Sequence, residues 1–187
     1  MRILFVTHPD AAARSPRPLS NGGRLQAMAA ARRLRELAGK KVFLAAVLSS
    51  PAARCLETAV LVAREFGETT LQDVGFDRVR VCDELGEGQN SISITELNKL
   101  LGQVVGEVVD KLTAQRGDGA ADSAVLVSVH GDLASVLNSV AASECKLASD
   151  GRFFDFRPVV AGCGYDQGQL SVQRCDAFVD GAWATCL

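Results

Sequence analysis

Histidine is scarce in this chain, and several common functional signatures are missing. The 187 residues include two histidines, His8 and His130, and six cysteines with no pair spaced as Cys-x-x-Cys, which argues against zinc ribbons and thioredoxin-type redox chemistry. No apolar run approaches the roughly 18 residues of a membrane span. The first apolar run, 3–6, is too short for a signal peptide. We therefore expect a cytoplasmic protein whose cysteines are reduced and mostly buried.

A strong net charge is also lacking. Lys and Arg number 20 against 22 Asp and Glu, giving a formal charge of −2. Such a balance offers no general attraction to nucleic acid or to an anionic membrane, so any anion site must be local. The apolar share of 48% is typical of a globular protein, and the length predicts a single domain over residues 1–187. No sequence feature indicates the oligomeric state.

Short apolar runs alternate with amphipathic stretches along most of the chain. The runs predict buried strands at 3–6, 42–48, 79–82 and 124–129, and the amphipathic stretches predict helices at 20–39, 51–66, 96–112 and 132–141. In the first helix we expect Leu25, Met28, Leu34 and Leu37 to form the buried side. The tail predicts strands around 170–174 and 178–179, with a tight turn at 180–181. The predicted fold is a three-layer α/β/α sandwich around a central, mostly parallel β-sheet.

Three side chains suited to phosphate chemistry follow predicted strand ends. His8 comes just after the first strand, His130 ends the fourth, and Arg54 falls in the opening turn of the helix after the second. Carboxyl ends of parallel strands meet at one edge of a sheet, where ligands bind. An imidazole is a competent nucleophile toward phosphorus, and a guanidinium at a helix N-terminus suits phosphate oxygens. The pattern therefore predicts one phosphate-handling site, whose leaving oxygen a nearby carboxylic acid would protonate.

Four segments carry a resemblance to a known family. They are Thr7-His8-Pro9 after the first strand, Leu19-Ser20-Asn21-Gly22-Gly23-Arg24-Leu25-Gln26-Ala27, Ser49-Ser50-Pro51-Ala52-Ala53-Arg54-Cys55-Leu56-Glu57-Thr58-Ala59, and the strand end Val127-Ser128-Val129-His130-Gly131. In this order they resemble the signature segments of the histidine phosphatase superfamily, which also contains the cofactor-dependent phosphoglycerate mutases. The resemblance covers roughly the first 140 residues. It implies a phosphoglycerate mutase-like fold, here closest in size to the small phosphohistidine phosphatases.

The resemblance also implies roles for individual residues. His8 would be the nucleophile that forms a phosphohistidine, while Arg54, His130 and the adjoining Gly131 would bind the phosphoryl group. No metal or cofactor would be required. The family's proton donor is usually a glutamate in the loop after the third strand. Leu85-Gly86-Glu87 fits that context, and Glu84 is a second candidate.

One signature position departs from the family pattern. Thr7 stands where the family has an arginine against the phosphate, and losing such a charge-assisted contact would cost roughly 1.5–3 kcal/mol in binding. If the contact forms mainly in the transition state, the rate penalty could reach about a hundred- to a thousandfold. Arg14 and Arg17, on the loop after His8, could replace the missing charge.

The sequence thus predicts a metal-independent phosphatase that hydrolyses a phosphomonoester or phosphohistidine through a phospho-His8 intermediate. Its partner would be a small phosphorylated substrate or a phosphoprotein, with no nucleic acid and no membrane. The alternative is a catalytically degenerate member that binds phosphate-bearing ligands without turnover, which Thr7 favours. A mutase would need a larger insertion than 66–96 offers.

Overall fold

A seven-stranded sheet carries the helices and the candidate site. The computed structural model describes residues 1–9, 11, 17–67, 79–86, 92–116, 122–130, 158–179 and 181–185. Its elements, in chain order, are β1 (Arg2–Thr7), α1 (Asn21–Ala38), β2 (Phe43–Ser49), α2 (Ala53–Glu65), β3 (Arg80–Val81), a 3-10 helix (Asp83–Leu85), α3 (Ile94–Arg116), β4 (Ser123–Val129), β5 (Val159–Asp166), β6 (Gln169–Val179) and β7 (Ala182–Thr185). The predicted helix at 132–141 lies outside the described residues, and the single domain over 1–187 stays a prediction.

The strands follow the order β3-β2-β4-β1-β5-β6-β7 across the sheet. The first four run parallel, whereas β5, β6 and β7 join antiparallel, so the sheet is partly parallel. The cause is local: β5 and β6 are joined by a two-residue turn at Gln167 and Gly168, both with positive φ, and so short a connection permits only antiparallel pairing. Strands β6 and β7 pair antiparallel with Val179 opposite Ala182, while Asp180 of the predicted turn lies outside the described residues.

Helices cover both faces of the sheet, which confirms the three-layer architecture. Ile3 and Phe5 of β1 pack in the cluster that contains the leucines and valines of α3. Their neighbours Leu4 and Val6 pack in the cluster formed with α1 and α2. Successive side chains of a strand point to opposite faces, so an unbroken apolar run indicates burial on both. None of the described helices is long and apolar enough to cross a membrane.

The rotation of α1 differs from the sequence expectation. Ser20 caps the helix as predicted, since its hydroxyl accepts a hydrogen bond from the Gly23 amide at 2.9 Å. Leu25 and Met28, however, are exposed at 70% and 42%. The buried side consists mainly of small residues: Gly23, Ala27, Ala30, Ala31, Leu34 and Ala38. Small side chains allow close helix packing, and this close approach, rather than the leucine spacing, sets the rotation of α1.

Helix α2 begins later than the sequence suggested. Ser50 and Pro51 predicted a cap and a first helical residue, but the helix starts at Ala53, after an N-cap, Ala52, that makes no side-chain capping bond. Sheet pairing continues past the last residue of β2, because the Ser50 amide donates to the Ser128 carbonyl at 3.0 Å. Ser50 is therefore extended and does not cap the helix. Arg54 nevertheless stays in the opening turn of α2.

Candidate active site

The two histidines meet at the carboxyl ends of β1 and β4. These strands pair in parallel, with Thr7 opposite Val129, so the residues that follow them lie side by side. The His8 amide donates to the Val129 carbonyl at 3.2 Å. The His8 and His130 rings are 4.8 Å apart between centroids and inclined at 44°. His8 is buried, and His130 is partly exposed.

Arg54 contacts His8 directly. Its Nε lies 2.9 Å from His8 Nε2, and both side chains are buried. On the other side of the ring, His8 Nδ1 lies 2.7 Å from the Pro9 carbonyl oxygen. A guanidinium only donates and a carbonyl only accepts, so these two contacts together assign the proton to Nδ1 and leave a lone pair on Nε2. The ring is thereby held as the tautomer whose Nε2 can act as a nucleophile.

Buried hydroxyls fix the first turn of α2 against β4. Thr58 Oγ1 donates to the Arg54 carbonyl at 2.7 Å, within the helix. Ser128 Oγ donates to the Cys55 carbonyl at 2.8 Å, which links α2 to β4 two residues before His130. The position of Arg54 relative to His130 therefore rests on these bonds as well as on packing.

Arg54 places a buried positive charge in the site. Burial lowers the pKa of Arg54, and the nearby positive charge of Arg17 lowers it further. Both effects indicate a place where an anion would be favourable. Burial also raises the pKa of the neighbouring Cys55 thiol to about 12, so Cys55 stays protonated and is not a thiolate nucleophile.

The remaining predicted site residues fall into two groups. Arg17 is exposed, has φ of 32°, and lies near enough to Arg54 for the two charges to repel. Glu84 is exposed on the 3-10 helix, with the buried Leu85 beside it. Glu87, Gly131 and Arg14 lie outside the described residues.

Thr7 has a structural contact that sequence reasoning did not foresee. Its side chain is 3% exposed, and Oγ1 accepts a hydrogen bond from the Val159 amide at 2.8 Å. This bond ties the end of β1 to the first residue of β5, 152 positions along the chain. A hydroxyl therefore stands at the position where the resemblance implied an arginine. No local sequence signal could have indicated so distant a partner.

Replacing Thr7 with valine is expected to lower the free energy of unfolding by about 1–3 kcal/mol, because the buried Val159 amide would lose this acceptor. Thr7→Ser keeps the hydroxyl and serves as the matched control, with a smaller loss. Urea denaturation of the three proteins measures the difference. Equal stability of Thr7→Val and wild type would contradict a structural role for the hydroxyl.

Glu57 is a second residue that sequence reasoning missed. Its Oε2 accepts from the Leu19 amide at 2.9 Å, and its Oε1 lies 2.6 Å from Arg24 Nε. Glu57 follows Arg54 by three residues, a spacing that places both on neighbouring parts of the helix surface. That spacing was the available signal, although it could not name the partners.

The sequence comparison finds the same family that the signature segments resemble. The model of the histidine phosphatase superfamily (branch 1) matches residues 7–86, a segment that holds His8 and Arg54. Over this segment the chain is similar to members of that superfamily. None of the curated proteins matches the chain significantly in sequence.

Solved structures share the fold over nearly the whole of this chain. The protein histidine phosphatase SixA, solved with tungstate, has a TM-score of 0.61 at 20% identity, over 94% of this chain and 96% of that chain. A protein assigned as the phosphohistidine phosphatase SixA of Agrobacterium tumefaciens gives 0.56 at 20% identity, over 93% and 96%. A mycobacterial glucosyl-3-phosphoglycerate phosphatase gives 0.52 at 16%, over 92% and 96%. The phosphoglycerate mutase-like fold is thereby confirmed, and the small size matches the SixA structures.

Proposed function

We propose that the chain is a phosphatase that hydrolyses a phosphomonoester or a phosphohistidine, with His8 as the nucleophile. The observation that carries the proposal is the geometry around His8. Its Nε2 has a lone pair, while Nδ1 is held as a donor by the Pro9 carbonyl at 2.7 Å. The match of residues 7–86 to the model of the histidine phosphatase superfamily supports the same chemistry.

The proposed reaction has two phosphoryl transfers. In the first, the Nε2 lone pair of His8 attacks phosphorus while the bond to the leaving oxygen breaks, and an acid gives that oxygen a proton. In the second, water gives a proton to the carboxylate left by that acid and attacks phosphorus, the P–N bond breaks, the electron pair returns to His8 Nε2, and inorganic phosphate leaves. Glu84, which is exposed close to the end of β3, and Glu87 remain the proposed acids. His130, 4.8 Å from His8 between ring centroids, would donate to a phosphoryl oxygen.

Arg54 would act in both binding and catalysis. Its Nε hydrogen bonds to the lone pair that must attack phosphorus. An entering phosphoryl group offers the guanidinium stronger, charged acceptors, so Arg54 would transfer its bond to phosphate oxygens and release Nε2. The same side chain would then stabilise the equatorial oxygens of the transition state.

Arg17 is the proposed replacement for the arginine absent at position 7. Of the two arginines suggested by the sequence, Arg17 lies among the described residues, and its charge acts on Arg54. Its φ of 32° is unusual for a residue with a side chain, and such backbone strain is concentrated at functional sites. Together Arg17 and Arg54 would supply two positive charges to one dianionic phosphoryl group.

The substrate is proposed as a small phosphorylated molecule or a phosphoprotein, acted on in the cytoplasm. Cys55, Cys82 and Cys163 are free and buried, which suits a reducing compartment. The SixA structures support the phosphohistidine option, and the mycobacterial phosphatase supports a phosphomonoester.

The experiment that tests the proposal is hydrolysis of a generic aryl phosphate by purified protein in the presence of a metal chelator. We expect turnover that the chelator does not reduce. Tight binding of vanadate with no hydrolysis across a broad panel of phosphate esters would instead favour a binding protein without turnover. A complete dependence on added metal would contradict the proposed mechanism.

A further inference from the structure

Glu57 joins α2 to the segment that leads into α1. Its two carboxylate oxygens serve different partners: Oε2 accepts from the Leu19 amide at 2.9 Å, and Oε1 pairs with Arg24 Nε at 2.6 Å. The Glu57 side chain is 19% exposed, so its charge is only partly solvated. The bond to Leu19 spans 38 residues of sequence and therefore determines tertiary structure rather than helix geometry.

These contacts lie on both sides of the start of α1. Ser20 is the N-cap of α1, so Leu19 is the residue before the cap and Arg24 lies just beyond the first turn. The first turn of α1 contains no acidic residue of its own. Glu57 thus supplies from α2 the negative charge that a helix N-terminus favours. It also fixes the angle at which the chain enters α1.

The contacts of Glu57 with Leu19 and Arg24 constrain where Arg17 can lie. Arg17 is two residues before Leu19, whose amide is bound to α2 one turn beyond Arg54. Leu19 is also buried and forms a β-bridge with Ala11, so the segment is held on both sides. Arg17 has a φ of 32°, in the left-handed region, just before this anchor. Residues 17–20 are thereby fixed beside the N-terminal end of α2.

We propose that Glu57 is a positioning residue that places Arg17 beside Arg54, so that both guanidinium groups can bind one phosphoryl group. Glu57 does not touch the substrate and acts through the backbone of residues 17–20. The inference rests on the proposed function, because it assigns Glu57 a part in the same anion site. It also explains how a chain with threonine at position 7 could recover a second positive charge.

The alternative is that Glu57 only stabilises the packing of α1 on α2. In that case replacing Glu57 would lower the stability of the fold, and its effect on binding would be the same with or without Arg17. If Glu57 acts through Arg17, its substitution weakens anion binding only when Arg17 is present. A double-mutant cycle separates the two possibilities.

The experiment measures orthovanadate affinity for wild type, Glu57→Ala, Arg17→Ala and the double variant. We expect Glu57→Ala to weaken binding about tenfold, because Arg17 would occupy its binding position only a fraction of the time, on the order of a tenth. In the Arg17→Ala background the same substitution should have little further effect. Hydrogen exchange should show faster exchange of the Leu19 amide in Glu57→Ala. Glu65→Ala, an exposed glutamate near the end of the same helix, is the matched control and should change neither quantity.

The outcomes are distinguishable from failure of the proposed function. Unchanged affinity in Glu57→Ala, or an equal loss with and without Arg17, would overturn the positioning role while leaving the phosphatase proposal intact. A wild-type protein that binds no vanadate would overturn both. If Glu57→Ala folds poorly, Glu57→Gln serves instead, since it keeps an acceptor for the Leu19 amide and loses the charge that pairs with Arg24; an intermediate loss that again depends on Arg17 is then expected.

Discussion

Replacing His8 with alanine is expected to lower aryl phosphate hydrolysis by at least about a thousandfold, since it removes the atom that would form the new bond to phosphorus. The effect should be large because the ring is prepared for this one role: Pro9 holds Nδ1 as a donor, and Nε2 keeps its lone pair. Steady-state kinetics on purified proteins measure the loss. Activity within tenfold of wild type would exclude His8 as the nucleophile.

A smaller substitution offers a control for His8. In His8→Gly the site should retain Arg54 and His130 but leave a cavity where the ring was. Added imidazole should then restore part of the turnover by attacking phosphorus in place of the missing side chain. Rescue that saturates with imidazole, and that His8→Gln does not show, would distinguish a lost nucleophile from a disturbed fold. Equal denaturation midpoints for the variants would support the same conclusion.

Replacing Arg54 with alanine is expected to lower kcat/KM by about 10²- to 10³-fold, because one preorganised donor to the transition-state oxygens is lost. Arg54→Lys should recover part of the rate, as it keeps a charge but not the planar fork. The same kinetic assay measures both variants. An Arg54→Ala enzyme with normal kcat and only a raised KM would instead assign Arg54 to ground-state binding.

Stability provides the internal control for Arg54. Burial of its guanidinium lowers the pKa of Arg54, so the folded protein holds this charge at a cost. Removing the charge relieves this cost but also removes the buried hydrogen bond to His8, so the midpoint of urea denaturation should change little even though activity falls. Loss of activity with a parallel large loss of stability would point to structural damage instead. A fall in activity without a matching fall in stability is typical of a residue retained for function.

The fold was largely predictable because its core uses simple patterns. The apolar run of β1, buried on both faces, and the three-and-four spacing of the leucines and valines in α3 each define one element unambiguously. The strands after β4 were harder, because their antiparallel order depends on the turn at Gln167 and Gly168. The side of α1 that is buried was predicted wrongly for Leu25 and Met28, since close packing of alanines outweighed the spacing of larger residues.

The site was predictable where it depends on strand ends, and not where it depends on distant contacts. His8, His130 and Arg54 follow elements whose order the sequence already indicated, and the structure brings them together. The bond from Val159 to Thr7 and the bond from Leu19 to Glu57 join residues far apart in sequence. Neither has a local signature. The sequence therefore showed that position 7 departs from the family pattern, but it could not show that the Thr7 hydroxyl accepts a hydrogen bond from the Val159 amide.

Capture of the phosphoenzyme tests the central claim most directly. Wild-type protein mixed with a radiolabelled phosphate ester and quenched in alkaline detergent should carry label that is stable to base and lost in acid, as expected for a phosphohistidine. Peptide mass spectrometry should place the label on His8, and His8→Ala should carry none. Label on another residue, or rapid wild-type turnover while label persists at the same level in His8→Ala, would contradict nucleophilic catalysis by His8.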